Sequence, residues 1–479
     1  MSAGWVRRVR PGASSASRGG ITLWASGQQD HPIRDTGPVL TPSSPDPLPS
    51  LLPAGSPSGL LIEGDNLPAL RALLPRLRGT VKVIYLDPPY NTGNAHAYHD
   101  RFGTTGLSRG AAGHADWLDF MRPRLELARD LLREDGVLFL HIDDRESAYA
   151  QILGHDVFGE RNSLGTLIHQ RAKGGGNARS FVRGHDYIHV WGKDSSQVGP
   201  FVTEKKPPAR YEAIDGQRML VEDDVLRVSF GRYRRGEERR LMYEDIESVR
   251  GAQKLAQVDA RIAAGEYALR PWGEPDPATG QQKHAVVRLT PAQDATSKLY
   301  SIIRVMNAEG SADLERLGLG GIFGYPKPVE LLRVLIESQT WNDPDALIMD
   351  FFAGSGTTAE AVLRANLRDG GRRRFILVQQ PEPLRQDYSS TGGRSMPAAA
   401  SGDDAADTTA EAADPEDGDP PPPARAAAPT FETISAFCAE RVRRAVAAHV
   451  ESGGDPVALT VLTQEELVRS LASGATPPV

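Results

Sequence analysis

The chain has 479 residues, of which 39% are hydrophobic, and its formal net charge at pH 7 is −7. This length predicts two or three domains, or one large domain with insertions. Because Cys438 is the only cysteine, no internal disulfide and no cysteine-based zinc site can form. No apolar run approaches the ~20 residues that span a bilayer, so we expect a cytoplasmic protein without a membrane partner.

The negative charge is concentrated in one segment. Residues 401–420 contain eight acidic residues and no basic one, and the rest of the chain carries a net charge of +1. A near-neutral body with local arginine clusters is compatible with nucleic-acid binding, although the net charge alone does not indicate it.

Three segments lack the periodic pattern of a packed domain or lie at its end. Residues 1–56 are rich in Pro, Ser and Gly, which predicts a disordered leader; their early arginines leave a mitochondrial transit peptide as the alternative. Residues 384–430 predict a disordered, acidic and Pro-rich insertion. Residues 431–479 predict a C-terminal helical segment followed by a tail.

Apolar strands alternate with amphipathic helices in two stretches, 57–194 and 321–383. This alternation predicts a mostly parallel sheet covered by helices on both faces, with ligands at the carboxyl ends of its strands. Asp65, Asp87 and Asp143 all fall at such ends. The predicted strands are 59–65, 81–87, 136–143, 166–169, 187–191, 346–350 and 374–379, and the predicted helices are 67–77, 117–132, 327–339, 357–366 and 433–449.

The region between these stretches, residues 195–320, has a different pattern. It is charged, rich in turns and weakly periodic, which predicts a separate small domain or a large insertion. It contains the densest arginine cluster of the chain, which includes Arg232, Arg234 and Arg235. These arginines are candidates for phosphate contacts, although a solvated helix face would have the same composition.

The first chemical motif is Asp87-Pro88-Pro89-Tyr90, directly after a predicted strand. Two successive prolines remove two backbone donors and leave carbonyl oxygens as acceptors beside the Asp87 carboxylate. Such acceptors could hold both hydrogens of an amino group on a flat base while the Tyr90 ring stacks on that base. The alternative is a Pro-Pro turn that Asp87 caps, because short motifs mislead.

The second motif runs from Asp350 through Phe351, Ala353, Gly354 and Gly356 to Thr357, between a predicted strand and a predicted helix. Glycines let a ligand approach the backbone, and the helix N-terminus offers free N–H groups. No lysine follows Gly356, which excludes a phosphate-binding P-loop. The spacing also fits a dinucleotide fold, and Glu382 after the next strand could bind ribose hydroxyls in either case.

Together the two motifs resemble the amino-methyltransferases of DNA in the permuted order called the beta class. In that class the Asp-Pro-Pro-Tyr half comes first, then a target-recognition region, then the cofactor half, as in this chain. Residues 64–66, 135–144, 325–328 and 330–332 match further motifs of the class. Residues 87–93 and 440–444 resemble the modification subunits of bacterial Type III restriction systems.

The resemblance implies a fold and a reaction. The fold is a mostly parallel, seven-stranded-type, Rossmann-like α/β methyltransferase sheet, circularly permuted, with an inserted target-recognition domain at 195–320. The reaction is transfer of a methyl group from S-adenosyl-L-methionine to N6 of adenine in double-stranded DNA, with the base flipped out of the stack. Asp87, Pro88, Pro89 and Tyr90 are the implied catalytic residues. The cofactor candidates are Asp65, Lys327, Asp350, Phe351, Ala353, Gly354, Gly356, Thr357 and Glu382, and the DNA-binding candidates are Lys173, Arg232, Arg234 and Arg235.

Alternatives remain open at this point. The family tends to have Ser in place of Asp87 when it methylates N4 of cytosine, which favours adenine; methylation of RNA guanine uses the same motif. An NAD-dependent oxidoreductase and a catalytically silent DNA-recognition subunit are rivals from other classes. A homodimer and a separate restriction subunit with helicase and nuclease activity are candidate partners. The histidines show no metal-ligand spacing, so we expect no metal, and we interpret His141 as structural.

Overall fold

The computed structural model describes residues 52–53, 55–91, 111–173, 181–204, 210–214, 216–223, 225–228, 239–275, 277, 279–291, 294–384 and 430–473. The DNA-binding candidates Arg232, Arg234 and Arg235 lie outside these residues, as do nearly all of the predicted leader and the predicted acidic insertion. Within the described ranges, no helix is both long and apolar enough to cross a membrane.

The chain divides into two compact units, Met1–Pro200 with Tyr300–Val479, and Phe201–Leu299. The second unit contains fewer residues than the predicted recognition region at 195–320, because residues 195–200 and 300–320 belong to the first unit. A short strand at Ile302–Arg304 explains part of this difference, since it pairs with a strand of the large sheet.

The first unit is an α/β domain. Its strands are β1 (Ser58–Glu63), β2 (Val81–Leu86), β3 (Leu132–Ile142), β4 (Ser163–Gln170), β5 (His185–Gly192), β14 (Ile302–Arg304), β15 (Leu347–Asp350), β16 (Arg374–Gln379) and β17 (Ala458–Thr463). Its helices are α1 (Asn66–Leu77), α2 (Ala111–Leu131), α3 (Ser147–Phe158), α6 (Asn307–Arg316), α7 (Val329–Thr340), α8 (Thr357–Asp369), α9 (Ile434–Glu451) and α10 (Gln464–Ser473). The labels β6–β13, α4 and α5 belong to the second unit.

The described strands of this unit form one sheet in the order β14-β4-β5-β3-β2-β15-β16-β1-β17. Neighbouring strands are parallel except at β5, which runs antiparallel to both β3 and β4. The mostly parallel α/β class is therefore confirmed. Seven strands lie between the edge strands β14 and β17, which extend the predicted seven-stranded type to nine.

The order of the strands creates a switch point at the centre of the sheet. The chain passes from β1 to β2 and then outward to β3, whereas β15 leads back through β16 toward β1. β2 and β15 are adjacent and parallel, so their carboxyl ends lie side by side. Ligands of open α/β sheets bind at such a point.

Local sequence explains why the central strands are buried and where the helices begin. Every residue of β2, Val-Lys-Val-Ile-Tyr-Leu, is buried, as expected for a parallel strand with helices on both faces. The side chain of Asp65 caps α1 by accepting from the Leu67 N–H. Helix α7 begins at Val329, two residues later than predicted, because Pro328 in extended conformation ends the preceding segment.

The second unit is an α+β domain with its own small core. Its strands are β6 (Val202–Glu204), β7 (Arg210–Ile214), β8 (Gln217–Glu222), β9 (Arg227–Val228), β10 (Arg239–Arg240), β11 (Tyr267–Pro271), β12 (His284–Pro291) and β13 (Thr296–Lys298), and its helices are α4 (Ile246–Arg250) and α5 (Ala252–Ala263). The order β11-β12-β8-β7 forms an antiparallel sheet. Leu241, Ile246, Val258, Tyr267 and Val286 fill the core.

Candidate active site

The two predicted motifs meet at the switch point. Asp87 follows the last residue of β2, and Asp350 is the last residue of β15. The two strands are in register, with Val83 opposite Ile348 and Ile84 opposite Met349. The sequence predictions for these motifs, which lie more than 260 residues apart in the chain, therefore describe one site in the structure.

Asp87, Tyr90 and Lys327 form a triangle of polar contacts. The Tyr90 hydroxyl donates to Asp87 Oδ1 at 2.7 Å. Lys327 Nζ lies 2.8 Å from Asp87 Oδ2 and donates to the Tyr90 hydroxyl oxygen at 2.9 Å. Lys327 was predicted as a cofactor residue, but the structure places its ammonium group on the predicted catalytic residues. Burial, followed by the charge of Asp87, raises the pKa of Tyr90 well above its ordinary value, so its hydroxyl stays protonated.

The second proline of the motif is held from behind. The indole N–H of Trp117, a fully buried side chain on α2, donates to the Pro89 carbonyl at 2.8 Å. The motif predicted that the carbonyl oxygens of both prolines are available as acceptors beside Asp87. For Pro89 this is wrong, because its oxygen accepts the hydrogen bond from the buried Trp117. The Pro88 carbonyl is the remaining candidate acceptor beside Asp87.

Two residues that are not glycine adopt positive φ among the described residues, and both lie next to this triangle. Asn91, at φ 56°, follows Tyr90 directly, and Tyr325, at φ 57°, precedes Lys327 by two residues. Such strain persists only where the surroundings impose it, and it concentrates at functional sites. The side-chain amide of Asn91 donates to Oε1 of the buried Glu146 at 2.7 Å, a contact that accompanies this backbone conformation.

The glycine turn after β15 has an open side and a packed side. Gly354 has φ 53°, and apart from its two chain neighbours the only described atom within 4 Å of a Cβ built there is the Phe352 carbonyl oxygen, at 3.9 Å. Gly356, at φ 84°, begins α8, and its Cβ would lie 3.0 Å from Cys438 Sγ. The turn therefore leaves space for a ligand at Gly354 and presses against α9 at Gly356.

Several predicted cofactor residues are buried or form hydrogen bonds that hold the glycine turn in shape. Phe351 and Ala353 are buried, and the Phe351 carbonyl accepts from the side chain of Asn66 at 2.8 Å. The Thr357 hydroxyl donates to the Lys327 carbonyl at 3.2 Å. These contacts shape the turn, and they connect it to the segment that carries Lys327.

Asp350 is buried and fully engaged inside the turn. Its Oδ1 accepts from the Phe352 N–H at 2.9 Å, and its Oδ2 accepts from the Thr358 hydroxyl. Burial raises the pKa of Asp350 to about 7, although these hydrogen bonds oppose the shift. Asp350 was predicted as a cofactor residue, but both of its carboxyl oxygens accept hydrogen bonds from the turn itself.

Sequence reasoning missed the buried residue that supports the glycine turn from behind, Arg441 of α9. Its Nη1 donates to the Ser355 hydroxyl at 2.6 Å and to the Thr357 hydroxyl at 2.7 Å. Its Nη2 forms an ion pair with Glu360 at 2.9 Å. The segment 440–444 was recognised as a motif, but nothing in a single sequence indicates which of its three arginines faces inward.

The other predicted residues that the structure describes are Asp65, Glu382 and Lys173. Asp65 caps α1 and also accepts from Arg124 at 3.3 Å. Glu382 lies just after β16, and its carbonyl accepts from the Ile434 N–H at 2.8 Å. Gln379, which no sequence motif indicates, accepts from the Gly354 N–H at 2.7 Å. Lys173 is exposed at the end of its described segment.

The comparisons with known proteins agree with this geometry. The family model described as DNA methylase matches residues 81–382, which is well over half of the chain. The chain belongs to the DNA methylase family. The match spans both motifs and the segment between them, so the resemblance stated from the sequence is confirmed.

The relatives include the Type III restriction-modification enzyme EcoPI Mod subunit of Escherichia phage P1, which is 30% identical over 70% of this chain and 60% of its own length. The Type II methyltransferase M.KpnI of Klebsiella pneumoniae is 29% identical over 71% of this chain and 84% of its own length. Among solved structures, PvuII DNA methyltransferase (cytosine-N4-specific) is 12% identical, with a TM-score of 0.37 over 69% of this chain and 87% of that chain. The chain spans about 60% of the EcoPI subunit and 53% of the StyLTI Mod subunit of Salmonella typhimurium.

The raised pKa of Asp350 predicts a pH dependence of stability. The folded chain keeps this proton up to about pH 7, whereas an unfolded aspartate releases it near about 3.9, so the free energy of unfolding falls as pH rises through that window. Asp350→Asn should remove this loss. We expect the variant to gain stability relative to the wild type between about pH 4 and 7, by on the order of 4 kcal/mol. Denaturant unfolding across this range measures it, and parallel profiles for the two chains would contradict it.

Proposed function

We propose that this chain transfers a methyl group from S-adenosyl-L-methionine to N6 of adenine in double-stranded DNA. The observation that carries the proposal is the adjacency of the Asp87–Tyr90–Lys327 triangle and the open glycine turn at neighbouring strand ends. A base-binding half and a cofactor-binding half are both required for amino methylation. An oxidoreductase would need the glycine turn alone.

The residues of the turn fit the proposed cofactor. The open space at Gly354 allows the ligand to contact the backbone, and the N-terminus of α8 follows immediately. Glu382 and Asp65 supply carboxylates for its hydroxyl and amino groups. When bound, S-adenosyl-L-methionine supplies an activated methyl group on a sulfonium, so the protein has to align the acceptor and exclude competing reactions.

Asp87 and the Pro88 carbonyl would accept the two hydrogens of the adenine amino group. An ionised carboxylate offers about four acceptor positions, so Asp87 can keep its bonds to Tyr90 and Lys327 and still accept another. Accepting both hydrogens favours a pyramidal nitrogen whose lone pair points away from Asp87. The amino group gains positive charge as it is methylated, and Asp87 is placed to take its proton.

Lys327 and Tyr90 prepare this acceptor. The ammonium group of Lys327 contacts Asp87 Oδ2 directly and fixes the position of that carboxylate oxygen. The hydroxyl bonds of Tyr90 fix the orientation of its ring, which can then stack on a flipped base without losing further rotamer freedom. Lys327 is thus a positioning residue in this proposal, and the base contacts are made by Asp87, the Pro88 carbonyl and Tyr90.

Asp87→Ala should lower methyl transfer by at least ~100-fold, because it removes the acceptor that faces the base. Binding of S-adenosyl-L-methionine, measured by calorimetry, should stay close to that of the wild type. The matched control is Asp135→Ala: Asp135 also pairs with a lysine, Lys82, at 2.9 Å, but at the amino ends of the strands. The control should lose stability and keep its activity. Near-normal transfer of labelled methyl groups to DNA by Asp87→Ala would overturn the assignment.

Gly354→Val should weaken S-adenosyl-L-methionine binding by ~10-fold or more, which is about 1.4 kcal/mol. The branched side chain would occupy the space where the ligand meets the backbone. Gly370→Val is the matched control, because Gly370 caps the end of the same helix at φ 69° and a Cβ atom added there would have no described atom beyond its chain neighbours within 4 Å. Both variants carry left-handed backbone strain, so only a ligand contact separates them. Equal affinities in two folded variants would contradict the proposal.

We further propose that the second unit selects the DNA sequence and that the chain acts as the modification component of a restriction-modification system. The relatives named as Mod subunits of Type III enzymes support this proposal, with a separate restriction subunit as partner. Arg240, the last residue of the predicted arginine cluster at 232–240, stacks its guanidinium 3.6 Å from the centre of the Trp272 ring, which presents a cationic, aromatic surface. A homodimer stays a prediction.

Replacing residues 201–299 by the matching region of a relative should change the methylated sequence and leave the chemistry intact. The two ends of the unit are joined by the Leu299 N–H, which donates to the Phe201 carbonyl at 2.9 Å, so the exchange preserves its connections. Single-molecule sequencing of DNA from expressing cells maps the methylated sites. Retention of the original site by an active chimera would place specificity elsewhere.

A further inference from the structure

Three buried side chains on adjacent strands converge beneath the proposed base pocket. They are His141 on β3, Asp186 on β5 and His169 on β4, here called the His-Asp cluster. His169 is the cross-strand partner of Asp186, and all three side chains are at most 3% exposed. The ring centre of His141 lies 6.5 Å from that of Tyr90. The proposed methyl transfer uses none of these groups.

The facing atoms of the cluster are spaced as metal ligands are. His169 Nδ1 lies 3.3 Å from His141 Nε2, and Asp186 Oδ2 lies 3.6 Å from the same nitrogen. With metal–ligand bonds of about 2.0–2.2 Å, neighbouring ligands in a tetrahedral shell lie about 3.3–3.6 Å apart. The ligand atoms that the three residues offer all lie within 4.8 Å of one another.

The opposite nitrogen of each histidine already has a hydrogen-bond partner. His169 Nε2 lies 2.7 Å from the Val305 carbonyl oxygen, which can only accept, so this nitrogen carries the proton and Nδ1 presents a lone pair. His141 Nδ1 lies 2.8 Å from the Tyr85 hydroxyl oxygen, which can accept a hydrogen bond from the N–H of this nitrogen. Ligating histidines are oriented in this way, with the distal N–H bonded to a fixed acceptor.

The protonation states suit a cation as well. Burial lowers the pKa of His141, and burial lowers the pKa of His169 to about 4, so both rings are neutral near pH 7. Two neutral imidazoles and one carboxylate are a ligand set for zinc and similar divalent ions.

We propose that the His-Asp cluster binds a divalent transition metal of the zinc type through His141 Nε2, His169 Nδ1 and Asp186 Oδ2. Its role is structural: it joins three strands of the sheet directly below Tyr85 and Tyr90. Arg171 is the competing cation, with Nε 3.3 Å from Asp186 Oδ1, but it contacts the other carboxylate oxygen and is 37% exposed, so it can turn toward solvent. This site is independent of the proposed methyl transfer.

The test uses the full chain, stripped with a chelator and titrated with cobalt(II) and then with zinc. We expect one cobalt per chain with a visible absorption band, displacement of that band by zinc, and a higher thermal unfolding midpoint with zinc. His169→Gln and Asp186→Asn should each weaken binding by at least ~100-fold. Asp186→Asn preserves the shape of the side chain, so it carries the test if His169→Gln fails to fold.

His189→Gln is the matched control, because His189 is equally buried on β5 but its nitrogens contact Ser147 and Thr166. This variant should keep the cobalt band. Absence of stoichiometric cobalt and zinc binding to the folded wild-type chain would show that the cluster is an ordinary hydrogen-bonded chain from Tyr85 to Val305. A cobalt band that survives both cluster variants, or that His189→Gln abolishes in a folded chain, would also overturn the proposal.

Discussion

The pairing of β2 with β15, in which Val83 lies opposite Ile348 and Ile84 opposite Met349, joins the two sequence halves of the catalytic sheet. These strands are separated by most of the first half and the whole second unit. Their parallel pairing requires a long crossover, so its entropic cost must be offset by the burial of both strands. Every residue of both strands is buried, which supplies that gain. The proposed active site depends on this pairing, because the pairing sets the two strand ends side by side.

The carboxyl groups of Asp87 and Asp350, at the ends of β2 and β15, have different hydrogen-bond partners and different exposure. On the β2 half, Asp87 is partly exposed and paired with Lys327, so its side chain remains accessible to a substrate. On the β15 half, Asp350 is buried, bonded within the turn, and its pKa is raised to about 7. A carboxyl group with that environment holds a loop in shape, whereas the Asp87 carboxylate can take part in chemistry. The same residue type thus has two roles because its surroundings differ.

The sequence predicted what is local and periodic. The alternation of strands and helices and both motifs could be derived because each depends on neighbouring residues, and the permuted order followed from the family resemblance. Residues that act across the sheet could not, since a single sequence does not contain the strand register. Trp117, Arg441 and Gln379 support the site from elements that look ordinary in the sequence. The prediction of no metal rested on the absence of local ligand spacing, whereas the residues of the His-Asp cluster come together only through the order β3-β5-β4.

The second unit is inserted between the two halves of the large sheet, and its two ends are joined by a pair of short strands. Strands β6 and β13, at the two ends of the second unit, pair antiparallel, with Val202 opposite Lys298 and Glu204 opposite Thr296. This short antiparallel pair places the first and last residues of the unit next to each other. The residues between them therefore form a closed loop, and its length does not affect the large sheet of the first unit. The entropic cost of closing a loop grows only slowly with its length. Because β6 and β13 already join the two ends of the unit, the residues between them can differ in number and sequence. A chain built in this way can change residues 204–296 without disturbing the register of β2 and β15.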